Sequence, residues 1–271
     1  MTITELLDSV DQKYRTDAQI LLAHLLKIDR SQLFAHPERE LTSAELAKIQ
    51  PLLQKLQTSY PLAYLLGQKS FYGRDFIVTP DVLIPRPETE TIIDELLKLE
   101  QTFTLQDGEF IQLVDVGTGS GVIPITADLE FTHPVSTIGL DISPGALKIA
   151  EQNADRLGTQ TRFFESDLLE VFDQGIPEVG PIIITANLPY VDRDWDWTSE
   201  NLKFEPEIAL YAENHGLKLI FDLIDDINRK VPEGYLLLEA DPSQHQAIKT
   251  YLENANLRLM HTNDFILVVE I

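Results

Sequence analysis

The chain contains no cysteine, which removes disulfides and thiolate-held metal centres from its repertoire. Basic residues are scarce: 21 Lys and Arg stand against 44 Asp and Glu, a formal net charge of −23. Most of such a surface repels bare nucleic acid, whose binding depends on neutralising phosphate, so no direct nucleic-acid binding is expected. A basic protein segment would instead be attracted and steered, although the same charge also serves plain solubility. No apolar run approaches the roughly 18 residues of a membrane span. Met1-Thr2-Ile3-Thr4-Glu5 has neither the basic stretch nor the apolar core of an export signal, and a cytoplasmic protein is expected. His24, His36, His133, His215, His245 and His261 are scattered without ligand spacing, so no metal is expected. Gly119-Ser120-Gly121 lacks the flanking spacing of a nucleophile elbow, and there is no lysine-bearing phosphate loop.

What is present is ordinary in bulk, with 44% hydrophobic and 24% charged residues over 271 positions. That is enough chain for one large domain or two smaller ones. Residues 1–67 read as a small helical bundle. Thr2 with Glu5, and Thr42 with Glu45, have capping-box spacing. Ala18, Leu21, Leu22, Leu25 and Leu26 form one apolar helix face, and Pro51 predicts a kink or break in the helix after Thr42. Residues 68–86 read as a β-hairpin linker, turning at Gly73-Arg74 and followed by the stiff run Leu83-Ile84-Pro85-Arg86-Pro87. Residues 87–271 form the third section.

From Ile111 the pattern alternates. Strands are expected at 111–116, 135–141, 161–165, 181–186, 234–240, 257–262 and 265–270, with helices near 121–130, 144–157, 213–230 and 242–255. This implies an α/β fold, a doubly wound, mostly parallel seven-stranded sheet of Rossmann-like type, closed by an antiparallel hairpin with its turn at Thr262-Asn263-Asp264.

The first strand runs into Gly117-Thr118-Gly119-Ser120-Gly121. Glycines there let a ligand approach the backbone, and G-x-G-x-G spacing suits an adenosyl amino acid better than a dinucleotide pyrophosphate. A mere packing turn has the same letters. Asp141 ends the second strand, where a carboxylate accepts from both ribose hydroxyls; capping the next helix is its other reading. Asp167 and Leu168 end the third strand, where an adenine edge would fall. The fourth strand ends in Asn187-Leu188-Pro189-Tyr190. Pro189 holds Leu188 extended, so backbone carbonyls and the Asn187 side-chain oxygen offer acceptors beside the flat Tyr190 ring. Two acceptors beside an aromatic plane suit a planar NH2 group, whereas a simple Asn-Pro turn would carry no chemistry. Val191–Glu200, with Trp195 and Trp197, reads as an acidic lid over a substrate entrance or as a solvated loop.

These residues together resemble the HemK-like N(5)-glutamine methyltransferases that modify peptide chain release factors. The resemblance includes Pro61–Gly67, Phe71-Tyr72-Gly73, the specific run Leu83–Glu90, Asp115–Gly121, Asp141-Ile142-Ser143 with Ala146-Leu147, Asn187–Tyr190, Phe204-Glu205-Pro206 with Ala209-Leu210, and Gly216-Leu217. It implies S-adenosyl-L-methionine as cofactor, with Gly117–Gly121, Asp141, Asp167, Leu168 and Asn187 binding it. Asn187, Leu188, Pro189 and Tyr190 would carry methyl transfer to the glutamine of a basic GGQ-containing loop. A monomer is expected, with 1–67 recognising substrate.

Three departures stand out. The family tetrapeptide is usually Asn-Pro-Pro-Tyr, and Asn-Leu-Pro-Tyr also looks like the motif of adenine dimethyltransferases acting on ribosomal RNA. Some members carry tryptophan where Leu168 stands. Glu239-Ala240-Asp241-Pro242-Ser243-Gln244 replaces a Glu-His-Gly segment, a change expected to leave the transfer path untouched. Methylation of a ribosomal-protein glutamine, of RNA adenine, and a non-enzymatic cofactor- or partner-binding module stay open at this point.

Overall fold

The computed structural model describes residues 1–173, 176, 180–195 and 199–271. It divides into two compact units. The first comprises Met1–Gln68 and the later segment 199–204; the second comprises the remaining described chain.

The first unit is helical, with α1 Ile3–Asp8, α2 Arg15–Leu26, α3 Arg30–Ala35, α4 Ser43–Leu56 and α5 Leu62–Leu66. Both expected capping boxes form, Thr2 with Glu5 and Thr42 with Glu45. Helix α4 runs unbroken through Pro51, contrary to a break. Pro51 lies on its exposed side, where water can serve the freed carbonyl, while Ile49, Leu53 and Leu56 bury the opposite side. Ile3, Leu6, Ala18, Leu21, Leu22 and Leu33 complete this core.

The second unit opens with β1 Gln68–Phe71 and β2 Arg74–Ile77. Their turn falls one residue earlier than expected, at Tyr72-Gly73. Both central residues have positive φ, 47° and 74°, as a two-residue hairpin turn requires, and Gly73 meets that need without strain. The hairpin is more than a spacer between domains: Phe71 and Phe76 are buried in one cluster with Ile92, Ile93 and Leu96.

After α6 Glu90–Glu100, seven strands form one sheet in the order β5-β4-β3-β6-β7-β9-β8. They are β3 Ile111–Val116, β4 Val135–Asp141, β5 Arg162–Glu165, β6 Ile182–Ala186, β7 Tyr235–Glu239, β8 Arg258–Asn263 and β9 Ile266–Glu270. Helices α7 Val122–Glu130, α8 Pro144–Leu157, α9 Lys218–Lys230 and α10 His245–Asn254 connect them. Helix α9 starts later than its apolar pattern predicts, because Asn214, His215 and Gly216 all adopt positive φ. The closing hairpin turns at Asp264-Phe265, so β8 reaches Asn263.

Side chains in the central strands alternate between two cores. Leu113, Ile183, Leu237 and Val268 join the cluster that includes residues of α6 and α7. Val114, Ile184, Leu236, Leu238 and Val269 join the cluster that includes residues of α9 and α10. A sheet covered on both faces needs such near-continuous apolar runs. β3 and β6 are accordingly buried throughout.

The chain winds outward from β3 to β5, then crosses back to lay β6 beside β3. That switch point is where open α/β sheets bind ligands. Register fixes the residues there. Val116 pairs with Leu140 and with Ala186, and Ala186 pairs with Leu238. The next positions, Asp141, Gly117, Asn187 and Glu239, therefore form one row across four strand ends.

Candidate active site

A cavity of about 330 Å³ opens at this row, within the size range of small-molecule sites. Gly117, Thr118, Gly119, Ser120, Asp141, Asp167, Leu168, Asn187, Leu188 and Pro189 all line it. Gly121 and Tyr190 do not. Gly121 is the residue preceding α7, with φ 78°, and a Cβ there would meet Ile125 Cδ1 at 2.9 Å and Ala150 Cβ at 3.2 Å. Its bareness serves helix packing, not the cofactor contact expected of it. Tyr190 stands behind the lining, half-buried.

The glycine turn is held from below. The amides of Gly117 and Thr118 both donate to the Leu140 carbonyl, at 2.9 and 2.8 Å. A Cβ on Gly117 would lie 3.0 Å from Leu188 Cδ2 and 3.9 Å from the Asn187 carbonyl oxygen, so the glycine turn and the Asn187 segment pack directly together. Beneath the turn, Asp115 accepts from the Thr185 hydroxyl at 2.7 Å, while its Oδ2 is buried without a partner. Burial pushes that carboxyl up to about 7.

Asp141 accepts from Gly119 N at 2.8 Å and from Ser143 N at 2.9 Å, one bond to each carboxylate oxygen. The N-cap of α8 is Ser143, whose hydroxyl accepts from Ala146 N. Asp141 is thus no helix cap; each oxygen keeps a lone pair for a ligand hydroxyl. Burial raises its pKa. Asp167 is exposed, and Leu168 is held at φ 47° by Ser166, whose hydroxyl donates to the Leu168 carbonyl at 3.0 Å.

On the far side of the row, Asn187 Nδ2 donates to Thr89 Oγ1 at 3.0 Å, which leaves Oδ1 as the acceptor. Tyr190 Oη donates to Glu239 Oε1 at 3.3 Å. Burial, with the Glu239 charge beside it, raises the Tyr190 pKa. Glu239, the unchanged first residue of the segment that departs from Glu-His-Gly, is therefore joined to the tetrapeptide. Arg86 pairs with buried Glu205 at 2.7 Å, and Glu205 also accepts from Ile84 N at 3.0 Å. Two points far apart in sequence, Ile84–Arg86 and Glu205, are thereby fastened together.

Thr89, Glu205 and Glu239 lie in segments quoted from the sequence but were given no role there, since nothing local marks a buried polar residue as paired with a distant one. Ile142 and Ile208 also line the cavity, 51% and 62% exposed; single exposed apolar residues are too common to signal a site. In the expected lid, Val191 N donates to the Leu210 carbonyl and Asp192 is bonded to His215. Within the first unit, Glu200 accepts from Ser59 and Lys13. These two acids are already engaged. Asp196, Trp197 and Thr198 lie outside the described residues.

Glycines that admit a close ligand, a carboxylate at the second strand end and apolar walls fit an adenosyl amino acid. Comparison with known proteins agrees. Residues 2–67 match the PrmC N-terminal domain and residues 90–187 match ribosomal protein L11 methyltransferase (PrmA). A release factor glutamine methyltransferase of Koribacter versatilis is 39% identical over 236 residues, covering 84% of this chain and 81% of that protein. The chain belongs to the release factor glutamine methyltransferase family. Family members from Bacillus subtilis and Coxiella burnetii are 35% and 36% identical, over 88% and 93% of this chain and 82% and 87% of their own lengths. Among solved structures, the N-terminal domain of human METTL16 in complex with SAH gives a TM-score of 0.52 at 12% identity, covering 73% of this chain and 75% of that one. That likeness shows the methyltransferase fold. Among the described residues no helix is long and apolar enough to cross a membrane.

Proposed function

We propose that this chain transfers a methyl group from S-adenosyl-L-methionine to the side-chain amide nitrogen of a glutamine in a peptide chain release factor. The observation that carries the reading is the row Asp141, Gly117, Asn187, Glu239, which sets a nucleoside-binding half beside an amide-binding half. Bound cofactor supplies the electrophilic methyl group. Gly117–Ser120 admit it to the backbone and Asp141 accepts from its ribose, with Asp167 and Leu168 at the adenine.

An amide nitrogen is a poor nucleophile because its lone pair is delocalised into the carbonyl. Asn187 Oδ1 and the Leu188 carbonyl accept its two N–H bonds. That aims the nitrogen and favours the positive charge that grows on it as the N–C bond would form and the S–C bond break; S-adenosylhomocysteine would leave, and the methylated nitrogen would release one proton to solvent. Pro189 holds Leu188 extended for this purpose. Tyr190, behind the lining, braces the segment through its bond to Glu239. Residues 1–67 select the partner, and the net charge of −23 draws in a basic GGQ-bearing loop of a cytoplasmic release factor.

Purified enzyme incubated with methyl-labelled cofactor and release factor should place label on one glutamine, located by mass spectrometry. Ribosomal protein and RNA serve as parallel substrates. Label confined to either of them overturns the reading.

A further inference from the structure

Glu239 ends β7 one strand away from Asn187, and register sets the two side by side because Ala186 pairs with Leu238. It is 1% exposed. Oε1 accepts from Tyr190, and Oε2 is buried with no partner in full hydrogen-bond geometry. The Thr89 hydroxyl and the Asn187 carboxamide stand close enough to favour its charged form. A buried carboxyl left half-satisfied costs stability, so the fold keeps it against its own interest.

Hydrogen-bond polarity explains what it does. An ionised carboxylate only accepts, and a threonine hydroxyl has a single hydrogen. Were that hydrogen to turn to Glu239, Thr89 Oγ1 could only accept from Asn187, and it does accept from Asn187 Nδ2 at 3.0 Å. Asn187 must then present Oδ1, not its NH2, to an incoming amide. We propose that Glu239 is a positioning residue which, through Thr89 and Tyr190, fixes the Asn187 carboxamide in the orientation that accepts the substrate N–H. The inference rests on the glutamine-methylating reading and deepens it.

A neutral carboxamide at position 239 can donate. It would turn the Thr89 hydrogen toward Asn187, flip that side chain and set NH2 against NH2. The test uses the full-length enzyme with release factor, comparing wild type, E239Q, T89V and T89S. E239Q keeps the side chain's shape and removes a buried charge, so thermal stability should hold or rise. Its kcat should nevertheless fall about a hundredfold. KM for the release factor and affinity for S-adenosylhomocysteine should stay near wild type, since the change acts only at the reacting amide. T89V should show a similar loss, and T89S, which retains the hydroxyl, should restore turnover.

The pH profile adds a readout that a purely structural role would not move. Burial pushes the Glu239 carboxyl up to about 7, with Glu88 and Tyr190 facing it and Arg86 and Asp241 acting on Tyr190. Its charged fraction grows as pH rises through that value, so wild-type kcat should rise with it and E239Q should lack that limb. Asp115 is also pushed up to about 7, and a limb that persists in E239Q belongs there and overturns the proposal. So does E239Q or T89V turning over at the wild-type rate; if E239Q fails to fold, T89V decides. Wild type that methylates no glutamine defeats the glutamine reading and this inference with it, an outcome distinct from active wild type beside active variants.

Discussion

Two carboxylates stand in one row at the strand ends, Asp141 on β4 and Glu239 on β7, and they are built in opposite ways. Asp141 is held by backbone amides, Gly119 in the turn after β3 and Ser143 two residues on. Glu239 is held by a side chain, Tyr190 of the segment after β6, and leaves one oxygen unpartnered. On the proposed function, the first half of the row takes a ligand whose hydroxyls can be met by any fixed acceptor. The second half must tell a donor from an acceptor on a single amide, which demands control of where each hydrogen points. A site that only holds can be made of backbone; a site that aims needs side chains locked by other side chains.

The sharpest break between the halves is Asn187→Ala. Removing Oδ1 takes away an acceptor that matters most as charge grows on the substrate nitrogen, so kcat should drop by roughly a thousandfold. Cofactor affinity, measured by calorimetry with S-adenosylhomocysteine, should be nearly unchanged. A large loss of cofactor binding with little loss of turnover would merge the two halves and undo the division.

That contrast also governs what could be read in advance. Gly117–Gly121, Asp141 and the Asn187–Tyr190 run are contiguous motifs at strand ends, visible because local spacing encodes them. The strands themselves were legible to within a residue or so, since β3 and β6 are largely apolar and buried throughout. Thr89 and Glu239 were not legible, because their meaning depends on register between β6 and β7 and on how the N-terminal end of α6 docks. The hairpin turn at Tyr72 and the late start of α9 were misread for a smaller reason: positive φ at non-glycine residues leaves little trace in sequence.

The complementary change on the holding side is Asp141→Asn. One amide donor, Gly119 N or Ser143 N, would then face an NH2 group, and the charge on the ribose side would be lost. The expected cost is about 2 kcal/mol in cofactor binding, roughly a thirtyfold weaker Kd. Turnover at saturating cofactor should hold near wild type. A fall in kcat with Kd unchanged would place Asp141 among the aiming residues instead.

The smallest effect on chemistry is expected within the glycine turn, where one substitution made two residues apart should be read by different instruments. Gly121→Ala puts a methyl against Ile125, Ala150 and Phe163, at 2.9, 3.2 and 3.3 Å, on a backbone with φ 78°. It should lower folding stability by about 1–3 kcal/mol, seen as a lower Tm, while the folded enzyme binds cofactor as before. Gly119→Ala meets nothing within 4 Å, so packing is spared and only the positive φ is penalised. Gly119 lines the cavity, and its new methyl would occupy ligand space, so the loss should register in cofactor Kd more than in Tm. If both variants shifted Kd equally, Gly121 would return to the binding surface and the turn would have to be read as one uniform cradle.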